Sequence, residues 1–366
     1  MSEIVLPPLS HLLERELLAP DTRAAEEWLA ARRVLITGAA GSIGSALSRR
    51  LARLAPPGLV LLDHHENSLF QLSQRLREGM PEDQPAPTPV LVLADVCDPE
   101  RIGAVLRRHR PEVVFHLAAY KHVPLGEAQP AAYVANNVLG TWQLLAAAKE
   151  TGVETLIYPS TDKAVAPVNS YGATKRIVER MLRALAAEDG APRLVAARLV
   201  NVLGARGGVI EKFARQIGEG RPLTVTDPGM TRYWITEREA LDYLILAAAQ
   251  GPSGGVLTLD LGRPVRVVEV ARRLWELLGP AGEPFAPRYI GAYPGERLDE
   301  FLVGPDEEAR PSGIPQVLAV RERVASGETP AEIARLVTEL AALVAADDAA
   351  GLRARLGVPF GAPARG

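Results

Sequence analysis

The sequence predicts an α/β protein built on a doubly wound parallel sheet, with a smaller and less regular C-terminal part. Two observations predict it. Short runs rich in Val, Ile and Leu alternate with helix-length segments through the first two thirds of the 366 residues, and each run is bounded by turns or helices. In order, the expected strands are VLITG (34 to 38), LVLLD (59 to 63), PVLVLAD (89 to 95), EVVFHLAA (112 to 119), TLIYPS (155 to 160) and RLVAARL (193 to 199). The stretch MPEDQPAPTP (80 to 89) reads as a polar, proline-rich loop. After about residue 200, Gly and Pro cluster at 204 to 208, 227 to 229, 251 to 255, 280 to 284 and 291 to 295, so a looser second part is expected there. TPAEIARLVTELAALVAADDAAGLRARLG has helical spacing after a Thr-Pro start. The expected division is an arm over 1–32, a main domain over 33–200 completed by 229–260, a second part over 201–228 and 261–315, and a helical tail over 316–366. No internal repeat is present.

Composition narrows the class. With 47% hydrophobic and 23% charged residues, the chain can bury a core without staples. A single cysteine, Cys97, excludes internal disulfides and multi-cysteine metal sites, and no metal site is expected. A net charge of -3 offers no general attraction for nucleic acid or an anionic membrane. No apolar run approaches ~18 residues, and the N-terminus carries acids where a signal peptide needs a basic region. No membrane segment and a cytoplasmic location are therefore expected. Only five of the 41 basic residues are lysine: Lys121, Lys149, Lys163, Lys175 and Lys212. Where arginine supplies nearly all positive charge, a retained lysine is a candidate for a place where a proton must move, because a guanidinium cannot lose one.

The first chemical motif is TGAAGSIGSAL (37 to 47), between the first strand and a helix. Gly38 permits the tight turn, Gly41 removes a side chain where a pyrophosphate approaches, and Gly44 lets helix and strand pack closely. That context makes the sheet a Rossmann-type dinucleotide domain. Asp63 ends the second strand, where an acid accepts from ribose hydroxyls and repels a 2'-phosphate, so NAD is favoured over NADP. Asp95 closes the third strand and suits either an adenine contact or a helix cap. In NSYGATKRIVERMLRAL, Tyr171 and Lys175 share one helix face. A lysine beside the phenol is expected to lower its pKa toward neutrality, making Tyr171 a base for an alcohol, with Thr161 holding the same oxygen. His116, inside the fourth strand, reads as a core residue.

These motifs resemble those of the extended short-chain dehydrogenases/reductases, and within them the UDP-N-acetylglucosamine 4,6-dehydratases. The matching stretches are TGAAGSIGS, LLDHHENSLFQL, VFHLAAYKHVPLGEAQPAAYVANNVLGT, STDKAVAPVNSYGATKR, RLVNVLGARGGVI, MTRYWIT and YPGERLDE, between about residues 33 and 300. The resemblance implies a nicotinamide cofactor at Gly38, Gly41, Ser42, Ile43, Gly44, Asp63, Asp95, Val96, Ala118, Ala119, Tyr120, Tyr171 and Lys175. It implies a UDP-sugar held by Lys121, Asn201, Arg206, Arg232 and Glu296, with the second part of the chain as the substrate-binding domain. Catalysis would rest on Thr161, Asp162, Lys163, Tyr171 and Lys175.

By the same resemblance, hydride leaves C4 of the sugar while Tyr171 takes the O4 proton, and the 4-ketone acidifies C5–H. Lys163 then removes that proton and Asp162 protonates the departing C6 hydroxyl, before hydride returns to C6. The lysine version of this pair is associated with inversion at C5. The scheme needs a neutral Lys163 and a protonated Asp162, whereas adjacent opposite charges favour the ionised forms. Burial and the Lys175 cation are expected to depress Lys163, and desolvation to raise Asp162. The plain alternative for the pair is a surface salt bridge.

The arm LSHLLERELLAPD resembles the segment that joins membrane and catalytic parts in long members, so the chain is expected to be either a short member or a soluble piece. Many long members carry methionine at the position of Tyr171, and RGGVIEKF replaces the usual RGSVIPLF. A homo-oligomer is expected, since helices flanking the tyrosine commonly build dimers in this fold. Two other functions fit parts of the pattern. A UDP-sugar C4 epimerase would share the cofactor site and Tyr171/Lys175 without needing STDK, and a non-catalytic NAD-sensing protein would need only the glycine turn.

Overall fold

A computed structural model describes residues 9–13, 15–78, 88–324 and 327–358. The start of the arm, most of the 80–89 loop and the end of the tail lie outside the described residues. Among those described, nine strands form one sheet: β1 (Arg33–Thr37), β2 (Gly58–Asp63), β3 (Val90–Leu93), β4 (Val113–His116), β5 (Thr155–Thr161), β6 (Arg193–Leu199), β7 (Gly255–Leu259), β8 (Glu307–Pro311) and β9 (Val317–Glu322). The order is β8-β9-β7-β6-β5-β4-β1-β2-β3. β1 to β7 run parallel, while β9 pairs antiparallel with both β7 and β8. The order reverses between β1 and β4, so a crevice opens beyond their C-terminal ends, where such sheets bind ligands.

The near-continuous apolar runs follow from burial on both faces, since successive strand side chains point opposite ways. Leu35, Val114, Leu156, Leu194 and Ala196 join one core with helices Pro99–His109, Gly140–Thr151, Ser170–Leu185 and Pro330–Ala345. Val34, Ile36, Phe115, Ile157, Val195 and Ala197 join a second with helices Arg23–Ala30, Ser42–Arg53 and Glu237–Gln250. A third core, including Leu203, Ile210, Phe213, Met230, Trp234 and Val270, lies within the looser region after residue 200. Leu12 and Leu13 of the arm are buried in that third core, and Arg15 pairs with Glu239 at 2.6 Å. The described part of the arm is thus packed onto the body.

One boundary differs from the sequence reading. Residues 317–322, expected to begin a helical tail, form β9, and 307–311, expected in the substrate-binding part, form β8. Both are short, and β8 is mostly exposed at the sheet edge, so their apolar runs are interrupted by charges. The helical tail begins at Pro330, where Thr329 and Glu332 form a reciprocal cap. Among the described residues, no helix is long and apolar enough to cross a membrane.

Candidate active site at the strand ends

The glycine turn follows β1 into the crevice. Gly38 has φ +64°, and a Cβ there would lie 2.6 Å from the Ala118 nitrogen, so only glycine fits both conformation and space. A Cβ on Gly44 would meet the Gly38 oxygen at 2.1 Å, which explains the close packing of helix on turn. Gly41 is the N-cap of helix Ser42–Arg53, and no side chain caps that end. Its backbone N–H groups and dipole suit a pyrophosphate. Ile43 is half-buried beside Ser42 at this helix start.

Asp63 is buried at the end of β2, where Oδ2 accepts from Ala40 N–H and Oδ1 from His65 N–H, both at 2.9 Å. It shapes the turn as well as facing the crevice. Asp95 is exposed and accepts from Cys97 N–H at 2.8 Å, and Val96 is buried against Gly140. Ala118 and Ala119 are half-buried after β4, and Tyr120 is exposed. His116 is fully buried between Thr37 (2.7 Å) and Thr141 (2.8 Å), and burial pulls it down to about 3, in keeping with a packed neutral imidazole. Asn137, missed in the sequence, holds the loop after β4 by exchanging hydrogen bonds with Tyr120 N–H and C=O at 2.8 and 3.0 Å. It sits in a π-helical turn, Ala135–Leu139, and the NN pair inside VANNVLGT was its only sequence signal.

Thr161 ends β5, and Asp162 and Lys163 follow in a 3-10 turn. Helix Ser170–Leu185 starts from Asn169, whose side chain accepts from Gly172 N–H at 2.7 Å, and carries Tyr171 and Lys175 inward. Gly172 allows this approach, because a Cβ would meet the Lys163 carbonyl oxygen at 2.0 Å. Lys163 Nζ lies 3.0 Å from Asp162 Oδ1, which also accepts from Thr161 Oγ1 at 2.9 Å. The carboxylate's other oxygen, Oδ2, is buried without a partner. With the Asp162 side chain fully buried and Lys163 17% exposed, the pair is no surface salt bridge.

The proton affinities correct the sequence expectation in three places. Burial pushes the Tyr171 phenol up to about 12, against the pull of Lys163 and a Thr161 hydrogen bond. The expected helper, Lys175, instead donates to the Pro159 carbonyl at 2.8 Å and lies over the Tyr158 ring, and burial draws it down to about 7. Burial would also depress Lys163, but Asp162 and Glu300 outweigh it and hold the ammonium above the ordinary lysine value. Sequence proximity showed only one of these two carboxylates.

A cavity of about 260 Å³ opens beside Lys163, lined also by Asn201, Arg232, Glu296 and Glu300. Arg232 is buried and spends its guanidinium N–H groups on the Thr231, Arg297 and Leu298 carbonyls at 2.7 to 2.9 Å. Asn201 donates to the Tyr233 carbonyl at 3.1 Å, and Glu296 accepts from Tyr293 N–H at 3.1 Å. Lys121 and Arg206 are not brought to this wall. Lys121 donates to the Arg206 carbonyl at 3.0 Å, while Arg206 bonds Ala40 and Ser42 of the glycine turn at 2.5 and 3.0 Å.

Several known proteins are similar to this chain in sequence and fold. The capsular polysaccharide biosynthesis protein CapD of Staphylococcus aureus is 40% identical over 296 residues, 81% of this chain and 49% of CapD, so the chain spans about half the length of that relative. A UDP-glucose 4-epimerase of Rickettsia rickettsii is 33% identical over 280 residues, 76% of this chain and 79% of that protein. Among solved structures, Pen from Bacillus thuringiensis matches with a TM-score of 0.73 at 26% identity, covering 83% of this chain and 90% of that one. MoeE5 in complex with UDP-glucose and NAD matches at 0.59 and 26%, covering 71% and 85%. A family model described as polysaccharide biosynthesis protein matches residues 34–322, and the chain belongs to that family, within the extended short-chain dehydrogenases/reductases.

Proposed function

We propose that this protein is a NAD-dependent 4,6-dehydratase acting on UDP-N-acetylglucosamine or a close UDP-sugar, in the supply of sugars for surface polysaccharide or glycoprotein. The observation that carries this reading is the Asp162–Lys163 pair, 3.0 Å apart and next to Thr161, whose lysine lines the cavity. Tyr171 is buried close by, where Lys163 and Thr161 favour its phenolate against the effect of burial. The residues fit a dinucleotide: the uncapped helix start at Gly41 suits its pyrophosphate and Asp63 its adenosine ribose. Ser42, Ile43, Asp95, Val96, Ala118, Ala119 and Tyr120 would hold it along the strand ends, with Tyr171 and Lys175 beside its reactive ring. When bound, NAD supplies hydride transfer from C4 and its return to C6.

This chain's own residues handle the protons. Thr161 and Tyr171 hold the C4 oxygen, and the phenolate form of Tyr171, the minor form because burial raises the phenol, accepts its proton as the ketone forms. The ketone makes C5–H acidic. The Asp162–Lys163 pair shares one proton, and its reactive form places that proton on Asp162. Lys163 then takes the C5 proton while Asp162 delivers its own to the C6 hydroxyl, which leaves as water. Asn201, Arg232 and Glu296 on the cavity wall hold the UDP-sugar, whereas Lys121 and Arg206, bonded to each other and to the glycine turn, lie away from that wall.

The likeness to a UDP-glucose 4-epimerase supports a second reading, C4 epimerisation. An epimerase has no step that uses Asp162 and Lys163. Incubation with NAD and UDP-N-acetylglucosamine, followed by mass spectrometry, separates the readings. Loss of one water is expected; an isomer of unchanged mass would establish the epimerase, and no product would leave a binding protein.

A further inference from the structure

Beyond the pair named by the motif, a second carboxylate reaches Lys163. Glu300 Oε1 lies 3.5 Å from Lys163 Nζ, so the nitrogen stands between it and Asp162 Oδ1 at 3.0 Å. Glu300 is 5% exposed and lines the same cavity as Lys163. We propose that Glu300 is a positioning residue for Lys163: its carboxylate brackets the amine against Asp162 and strengthens it as the acceptor of the sugar's C5 proton. The proposal rests on the base role given to Lys163 above.

The chain around Glu300 is clamped from both sides. Arg232 donates to the carbonyls of Arg297 and Leu298, each at 2.9 Å, and its Nε lies 4.0 Å from the Glu300 oxygen that faces Lys163. Arg297 reaches the other way, to the carbonyls of Val165 at 3.1 Å and Ala166. Thr231 N–H donates to the Leu298 carbonyl at 3.0 Å, and Thr231 Oγ1 to Asp299 Oδ1 at 2.6 Å. These bonds fix the turn after Lys163 to the segment before Glu300, so the carboxylate cannot drift away without breaking them.

The charged and titratable groups facing Lys163 are Asp162, Glu300, Arg232 and Tyr171; those facing Glu300 are Lys163, Asp162, Arg232 and Arg297. Two carboxylates against the ammonium stabilise the charge that appears on Lys163 as it captures the proton. A more basic amine is the better acceptor from a weak carbon acid. Burial raises Glu300, opposed by the Lys163 charge 3.5 Å away.

The test uses the full chain and two variants, Glu300→Gln and Glu300→Asp. The first readout is competitive acetylation of Lys163 by acetic anhydride across pH, followed by peptide mass spectrometry, which needs no substrate. Removing a charge within 4 Å is expected to lower the labelling midpoint by roughly 1–3 units in Glu300→Gln. Glu300→Asp, with its carboxylate withdrawn by one methylene, should fall between. The second readout is the pH profile of water loss from UDP-N-acetylglucosamine. Its acidic limb should move down with the midpoint while the plateau falls about tenfold or more. A lower plateau with unmoved limb and labelling midpoint would make Glu300 merely structural and overturn the proposal. If Glu300→Gln does not fold, an unmoved midpoint in Glu300→Asp has the same force. Absence of water loss in the unaltered protein would sink the dehydratase reading, yet the labelling shift would still decide whether Glu300 controls the amine.

Discussion

Two buried charge clusters meet at the end of β5, and they are built oppositely. Ser160 donates to Glu179 at 2.6 Å, and Glu179 with Glu307 grips Arg198 through four hydrogen bonds of 2.7 to 2.8 Å. Arg176 and Gly304 N–H complete the carboxylates, so every oxygen has a partner. The next residue, Thr161, belongs to the other cluster. There Asp162 leaves one oxygen unpaired, and the cation is a lysine with contacts at 3.0 and 3.5 Å. A rigid arginine fork serves where charge must stay, and a lysine where a proton must move. Completed bonding sets the first cluster apart as structural, whereas the second, with its buried unpartnered Asp162 oxygen, is the one the proposed function uses for proton transfer.

The sharpest way to break that contrast is to remove each cation. Lys163→Ala should lower the rate of water loss by about 10²–10⁴-fold, while partial NAD reduction by UDP-N-acetylglucosamine persists through Tyr171. Its melting temperature should fall less than that of Arg198→Met, since the Lys163 side chain is 17% exposed at the cavity whereas Arg198 is fully enclosed. Lys163→Arg should fail nearly as badly, because a guanidinium accepts no proton at neutral pH. An arginine variant that dehydrates at a near-normal rate would reduce Lys163 to an electrostatic partner.

Arg198→Met should do the reverse. It leaves Glu179 and Glu307 buried without their counter-charge, at a cost of about 3–5 kcal/mol in stability measured by chemical denaturation. Equal destabilisation by Lys163→Ala and Arg198→Met would erase the distinction between the clusters.

Acid should sharpen it. Burial alone would raise Glu307, but Arg198 holds it at about 2, and Glu179 is likewise depressed. Depressed carboxylates contribute stability above their unfolded value near 4.5, and this is lost as pH falls from there toward about 2. For Glu307 the loss is on the order of 3 kcal/mol. Glu300 is shifted the opposite way, so its protonation in acid favours the folded state. Unfolding curves from neutral pH to about pH 2 should therefore be steeper for the unaltered protein than for Arg198→Met. Parallel curves would show that this cluster does not set the acid limit.

The same contrast shows what a linear sequence reveals. β1, β2 and β4 to β6 were readable because strands buried on both faces leave dense apolar runs, β3 because its run VLVL is apolar although mostly exposed at the sheet edge, and the Asp162–Lys163 pair because its members are adjacent. β8 and β9 escaped because an edge hairpin with charges such as Glu307 and Glu322 has no such run. Arg198 was visible as a charge inside RLVAARL, but its partners come from a helix and from the far edge of the sheet. Glu300 was inside a quoted motif, YPGERLDE, in which only Glu296 had been assigned a role. It comes 137 positions after Lys163, so the direction of the Lys163 shift was misjudged from sequence neighbours alone. Long-range electrostatics needs the fold.

Asp63 stands between the two types, and the smallest effect is expected there. Both of its oxygens accept a backbone N–H, as in the structural cluster, yet each carboxylate oxygen has a further lone pair for a ribose hydroxyl. The unaltered protein should bind NAD more tightly than NADP, because a 2'-phosphate would meet this buried carboxylate. Asp63→Ala should narrow the preference by about tenfold, near 1.4 kcal/mol. Freeing the Ala40 and His65 amides should also cost about 1–3 kcal/mol of stability. Fluorescence titration with both dinucleotides separates the two effects: a loosened turn weakens both alike, whereas relief of repulsion improves NADP relative to NAD. Equal affinities in the unaltered protein would remove Asp63 from the ribose and leave it as the brace of the glycine turn.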